Sequence, residues 1–456
     1  MLGFLAGCGV RVKDAGGLYE VVPERPLDLE ALDYDGLRAN PGYPYVVLKG
    51  DAAGAPQNPA MRIDYEAERT KLQAQRELKK AMKGGARTPE DQERLRAAGP
   101  REDFRLLQAI NVLQGFGSYN SLHEAIRQSD PAEFRTSVAA KLGALGRGLD
   151  PREAKTPLDP KVAVVQVFNP SAGKGINRPK PDSVTLAGLP GGFVDWFEEW
   201  LRYIGIGVSG NAFAVGDDYK LVAMAPADVG MEMVTQEVYP EFLRIKMPWA
   251  SIKIDVQSAL GRAEILVKRS GFLEGSPRIP PRRTPRDLVA GVQTAYFKSL
   301  GTSRFKSRAV INTSFIGLPG WFPIDSKEDA EAWVAILREH RRVVGSLEEE
   351  RSEEAALLAQ YRDFLSSGRV EDLLQFLAGY AAHLMPARDR GRYAPSFTTT
   401  NLGRVIMGEE RYLPIVQNEG FREVAAAIRR ATVIEQSIKA RKQPVVFDIH
   451  YGLFQD

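Results

Sequence analysis

Cysteine is nearly absent: Cys8 is the only one in 456 residues. That excludes a disulfide framework and any multi-cysteine zinc or iron–sulfur site, and it fits a reducing, cytoplasmic compartment. Long apolar runs are missing too. No stretch approaches the ~18 residues that a membrane-spanning helix requires, so no membrane partner is expected. Charge of one sign is scarce overall: 61 Lys and Arg against 58 Asp and Glu leave a formal net charge of +3. A nucleic-acid binder with this balance must gather its positive charge locally. Leu5-Ala6-Gly7-Cys8 has the letters of a lipoprotein cleavage site, but neither a basic nor a full apolar region precedes it. An N-terminal strand with a buried thiol, from Gly3-Phe4-Leu5 through Gly9-Val10-Arg11-Val12, is the expectation.

Catalytic signatures are also lacking. His123, His340, His383 and His450 stand apart, with no His-Asp, His-x-His or His-Glu-x-x-His pairing to place two ligands together. Gly173-Lys174-Gly175 follows a strand, but Phe168 occupies the earlier glycine position of a phosphate-binding loop and Gly175 that of the Mg-ligating hydroxyl. Gly207-Val208-Ser209-Gly210-Asn211 misses the last glycine of a nucleophile elbow. The acidic runs Glu198-Glu199, Glu348-Glu349-Glu350 and Glu409-Glu410 read as solvated helix faces. No catalytic centre, cofactor or metal site is expected.

What is present is a change of texture along the chain. Residues 1–60 carry short β-branched and aromatic pieces between breakers, such as Gly17–Val22 and Tyr45–Leu48, with a turn at Asn40–Pro44. Residues 61–146 are helical in composition: Ile63–Met82, a helix opened by Thr88-Pro89-Glu90-Asp91, then 101–114, 119–128 and 131–144. Strands are expected at Lys161–Phe168, Ala212–Val215, Lys220–Ala225, Leu243–Lys246 or Ser251–Val256, and Arg308–Phe315, with helices at Phe193–Tyr203 and Asp287–Leu300. After Asp325 the pattern is helical, at 325–344, 347–366, 369–384, 398–407 and 419–440, with one β-like piece at Pro444–Ile449. The expected fold class is α+β. An N-terminal α/β portion (1–325, with a helical insertion at about 61–146) precedes a C-terminal helical bundle (326–456).

Positive charge does gather. Residues 270–308 hold Arg278, Arg282, Arg283, Arg286, Lys298, Arg304, Lys306 and Arg308 against Glu274 and Asp287, eight bases to two acids. The prolines around Arg278–Arg286 preclude regular helix or central strand, so these arginines project from an extended loop suited to tracking phosphates. Tyr296, Phe297 and Phe305 lie among them and suit stacking on bases. A second patch, Asn169, Lys174, Asn177, Arg178 and Lys180, lies in a glycine-bearing loop without acids. A third runs through the C-terminal helices and includes Arg429 and Arg430. Acids concentrate elsewhere, as at 347–354.

Gln417-Asn418-Glu419-Gly420-Phe421-Arg422 through Val433, followed by Tyr451-Gly452-Leu453, resembles the C-terminal region of the large subunits of type I CRISPR surveillance complexes (Cascade). Phe168-Asn169-Pro170 with Gly173-Lys174-Gly175, then Trp196–Tyr203, is similar to the middle of the same proteins. The likeness spans the last two-thirds of the chain and is strongest at 361–453. It implies a non-catalytic subunit that reads the protospacer-adjacent motif, with a C-terminal bundle similar to Cascade small subunits lining the DNA path. The implied partners are guide RNA, target double-stranded DNA, backbone and small Cascade subunits, and a recruited helicase-nuclease or transposition protein. The chain has no His-Asp dipeptide, unlike large subunits that carry a nuclease domain. It also stops soon after Tyr451-Gly452-Leu453, where similar proteins continue, which implies a shortened form.

In this reading the 169–180 loop supplies groove-edge readers. Gly188–Phe193 or Gly317–Phe322 supplies a duplex-opening wedge, or else each is a tight turn before a helix. Two other classes stay open. One is a metal-dependent nucleic-acid enzyme assembled from distant residues such as His340, His383 and carboxylates. The other is a scaffold without affinity for polynucleotides.

Overall fold

The structure is a computed structural model and describes residues 1–48, 53–82, 88–112, 115–160, 195–245, 250–273, 279–300, 307–408, 414 and 417–429. The fold is α+β. Chain contacts divide it into two units: Met1–Ala223 with Gly230–Arg244 and Ala295–Thr313, and Met224–Val229 with Ile245–Thr294 and Ser314–Asp456.

In the first unit, α1 (Leu2–Ala6) ends at Gly7, whose φ of 54° is the left-handed conformation glycine adopts without penalty. The antiparallel hairpin of β1 (Val10–Asp14) and β2 (Tyr19–Pro23) follows, then α2 (Tyr34–Ala39) and the parallel pair β3 (Tyr45–Val47) and β4 (Arg62–Asp64). Short polar residues start the next helices. Asp64 caps α3 (Tyr65–Ala81), Thr88 and Asp91 form a reciprocal box on α4 (Pro89–Ala97), and Asp130 caps α7 (Pro131–Gly146) after α5 (Phe104–Val112) and α6 (Gly115–Gln128).

Helix α8 (Trp196–Ser209) buries Trp196, Phe197 and Trp200 among Tyr34, Leu37, Phe134 and Val138. Burying three such rings contributes roughly 2–3 kcal/mol each. Its N-cap Asp195 accepts from the Phe197 and Glu198 N–H groups and pairs with buried Lys141 at 2.5 Å. Lys141 also donates to the Pro151 carbonyl at 2.7 Å, so the buried ammonium is satisfied twice. Strands β5 (Gly210–Val215), β6 (Asp218–Pro226) and β7 (Asp228–Gly230) and helix α9 (Tyr239–Arg244) come next.

The second unit is built around α10 (Ser251–Lys268), which is buried almost all round and packs on α12 (Lys327–Ser346) and α13 (Ser352–Ser367). Buried Glu264 of α10 meets Arg338 at 3.1 Å and Arg341 at 2.5 Å, both from α12. Burial disfavours that carboxylate, but these bonds and one from Lys268 win and hold its pKa below the ordinary value. Between α10 and α12 come α11 (Pro285–Leu288), β8 (Val289–Leu300) and β9 (Ser307–Gly317); β5, β6, β8 and β9 form a four-stranded sheet in that order. Helices α14 (Val370–Asp389) and α15 (Thr399–Met407) and a last helix over Glu419–Arg429 complete the described chain.

Several local expectations are corrected. Ser251–Val256 opens helix α10, not a strand: Ile252, Ile254 and Val256 alternate with Lys253, Asp255 and Gln257 as a strand would, but this helix is buried on nearly every side and its polar residues are buried with the apolar ones. Leu243 and Arg244 end α9. Asp287–Leu300 is a strand for most of its length. The Thr284/Asp287 capping box and Pro285 do start a helix, but it lasts four residues before Val289, Val292, Thr294 and Phe297 turn inward from β8. The N-terminal strand begins at Val10, after a helix, and Cys8 is half-buried. Glu199 is no solvated residue: it is buried and ion-paired with Arg202. The expected strands at Lys161–Phe168 and Pro444–Ile449 lie outside the described residues.

Candidate nucleic-acid interface

The basic segment is anchored before it is exposed. Ile279 is fully buried and its N–H donates to the Ser270 carbonyl at 3.2 Å. Ile324 donates to the Arg283 carbonyl at 3.1 Å, a one-rung antiparallel bridge. Asp325 Oδ1 accepts the Arg282 N–H at 2.7 Å. Between these ties Arg282 has φ 61°, a left-handed conformation uncommon outside glycine, with an exposed side chain. A bulky residue holds that conformation only where the surroundings impose it.

The neighbouring arginines are committed differently. Arg283 Nη2 lies 3.4 Å from Asp228 Oδ2. Arg286 Nη2 donates to the Ser366 carbonyl at 3.2 Å, at the C-terminal end of α13. Its side chain fills a cradle of glycines: a Cβ on Gly317 would stand 2.7 Å from Nη2, and one on Gly320 3.2 Å from Cδ. Gly368, at φ 70°, ends α13 and also abuts the guanidinium. A cation there meets the negative end of the helix dipole. Beside it is a groove of about 340 Å³ lined by Arg286, Leu318, Trp321, Phe364 and Val405.

Of the other expected contact residues, Lys298 is exposed on β8. Arg308 lies on β9, and Arg429 closes the last described helix. Asn169, Lys174, Asn177, Arg178, Lys180, Arg278, Arg304, Lys306 and Arg430 lie outside the described residues, as does the Gly188–Phe193 loop. The Gly317–Phe322 segment is packed: Leu318 is fully buried, and Trp321 stacks on Trp333 at 5.0 Å, 6° from parallel.

Acidic positions that looked solvated also hold the fold. Glu349 accepts from the N–H groups of Ser251, Ile252 and Lys253 at 3.0, 2.8 and 3.1 Å, capping α10 from nearly a hundred residues away. Buried Glu354 receives Arg351 at 3.0 Å, Arg392 at 2.5 Å and the Glu348 N–H at 2.7 Å. No local pattern announces the Glu349 cap or the Arg392 pair of Glu354, because those partners come from distant segments.

The buried imidazoles are neutral. His340 Nδ1 lies 2.6 Å from the Tyr361 hydroxyl, among Trp321 and Phe397, and burial pushes its pKa down to about 3. His123 sits edge-on to Tyr45 and Tyr119; burial first, then the Arg127 charge, lowers it to about 4. Among the described residues no group of three or more His, Cys, Asp or Glu is placed to hold a metal ion, and no helix is long and apolar enough to cross a membrane. No family model, curated protein or solved structure matches the chain.

Proposed function

We propose that the protein is the non-catalytic large subunit of an RNA-guided DNA-targeting complex. It reads the protospacer-adjacent motif and guides the target strands, with guide RNA, duplex DNA and other Cascade subunits as partners. The observation that carries the reading is the turn at 279–287, tied at Ile279, Arg283 and Asp325 so that Arg282 projects outward. An arginine carried on a fixed backbone turn suits a phosphate contact, since only its side chain remains to be ordered on binding. Arg282, with Arg283, Lys298, Arg304, Lys306 and Arg308, serves the backbone, while Asn177 and Arg178 read base edges; Arg286 is held instead on the end of α13.

Binding of labelled duplex DNA by the assembled complex tests this. Affinity falls by about 10³ or more between 50 and 200 mM salt. Asn177→Ala or Arg178→Ala relaxes motif discrimination by ~1–3 kcal/mol for each base-edge interaction removed, measured on a randomised motif library. Salt-independent affinity overturns the phosphate assignment. Mutants at 177 and 178 that keep the motif preference overturn the base-reading one.

A further inference from the structure

Strand β2 has β1 on one side and, among the described residues, no strand on the other. Among the strands whose burial is described throughout, it alone has no buried residue: Tyr19, Val21 and Val22 stand 47%, 49% and 48% exposed, and Leu18 in the preceding turn 62%. Such an edge invites pairing unless charge, proline or a bulge protects it. Here Glu20 is the only charge in the strand and Pro23 its last residue.

The hairpin's own bonds say which groups face the open side. Val12 pairs with Val21 and Lys13 with Glu20. The Ala15 N–H donates to the Leu18 carbonyl at 2.9 Å and the Glu24 N–H to the Gly9 carbonyl at 3.0 Å. Antiparallel pairs alternate between bonded and non-bonded, so Leu18, Glu20, Val22 and Glu24 turn their peptide groups toward β1. Tyr19 and Val21 therefore turn theirs outward, and Pro23 offers a carbonyl only.

We propose that this edge pairs with β2 of a second copy of the chain, antiparallel and centred on Val21. The register meets each local constraint. Val21 exchanges two bonds with the other Val21, and each Tyr19 N–H donates to the opposite Pro23 carbonyl. Val21–Val21 and Tyr19–Pro23 contacts extend the face that already carries Val12, and Glu20 falls opposite Val22 with no like charges in apposition. The hairpin carries Arg11, Lys13 and Arg25 against Asp14, Glu20 and Glu24, a neutral balance that favours a protein strand over a polyanion. The half-open side chains cover on the order of 400 Å² per copy, about 800 Å² in all, below the ~1,200 Å² of stable interfaces. The association is accordingly weak, with dissociation at ~10–300 µM. It is independent of the nucleic-acid reading.

Sedimentation equilibrium of the full chain at ~5–300 µM reads the association, and cysteine cross-linking in a Cys8→Ser background reads the register. The wild type shifts toward dimer across that range. Val21→Lys weakens the dimer at least tenfold at an unchanged melting temperature. Val21→Cys forms an intermolecular disulfide under mild oxidation, whereas Val22→Cys, which faces Glu20, does not. A chain monomeric throughout, as when the edge serves another protein's strand, overturns the proposal. So does a dimer indifferent to Val21→Lys, or equal cross-linking at 21 and 22.

Discussion

The second unit contains two charged stretches of opposite sign, the basic segment around Arg282–Arg286 and the acidic segment around Glu348–Glu354, and they use charge in the same way. Arg286 sits on the carbonyl end of α13, and Glu349 on the N–H end of α10. Each meets the helix terminus whose partial charge opposes its own. Beside each structural residue is one with a different duty: Arg282 is exposed on its strained turn, and Glu354 is buried between two arginines. A run of like charge thus does not report how much of that charge is free to meet a partner.

The largest effects are expected at buried groups that have no helix end to receive a charge. His340 and His123 are buried as neutral rings, with pKa values of about 3 and 4 against an ordinary 6.5. The unfolded chain therefore binds protons first. Both contributions are complete above pH ~6.5 and decline as pH falls from there toward the folded-state values. Urea unfolding at pH 7 and pH 4.5 is expected to differ by about 2 kcal/mol per imidazole, and His340→Gln removes its share. An acid destabilisation unchanged in that variant breaks the assignment.

Glu349→Ala leaves three backbone donors of α10 without their acceptor and costs about 1–2 kcal/mol in chemical denaturation. If the acidic stretch were only solvated, the variant would match the wild type. Arg286→Met keeps the aliphatic stem in its glycine cradle but removes the cation from α13, at a cost of about 1 kcal/mol. The smallest effect on stability is expected at Arg282→Gly, since glycine relieves the left-handed strain; the shift is within about 1 kcal/mol and stabilising in sign. The same variant lowers the salt slope of DNA binding by about one unit. Melting curves and salt titrations of Arg282→Gly and Arg286→Met together separate exposed charge from structural charge. Equal behaviour of the two would dissolve the distinction.

How far the elements were legible follows from their surroundings. Helix α8 could be read because Trp196, Phe197 and Trp200 recur at helical spacing among polar Glu198, Glu199 and Arg202, and Thr88, Asp130 and Ser326 announced α4, α7 and α12 by local capping chemistry. Helix α10 could not, because Ile252, Ile254 and Val256 alternate with polar residues at its start, and neighbours bury those polar residues along with the apolar ones. Strand β8 hid behind a helix start that is genuine but four residues long. In the candidate interface, the sequence located the basic segment. It could not tell Arg282 from Arg286, whose partners lie 43 and 80 residues away.

The α+β class, most helix starts, the absence of a disulfide framework and the place where positive charge accumulates are all legible in the chain before it folds. These depend on composition and on residues within a turn or two of each other. Which charges are spent within the fold depends on long-range packing. A carboxylate or guanidinium acts as a cap, a buried pair or a free contact according to which distant helix end or counter-charge folding brings within hydrogen-bonding distance, because such bonds are short-ranged and need good alignment.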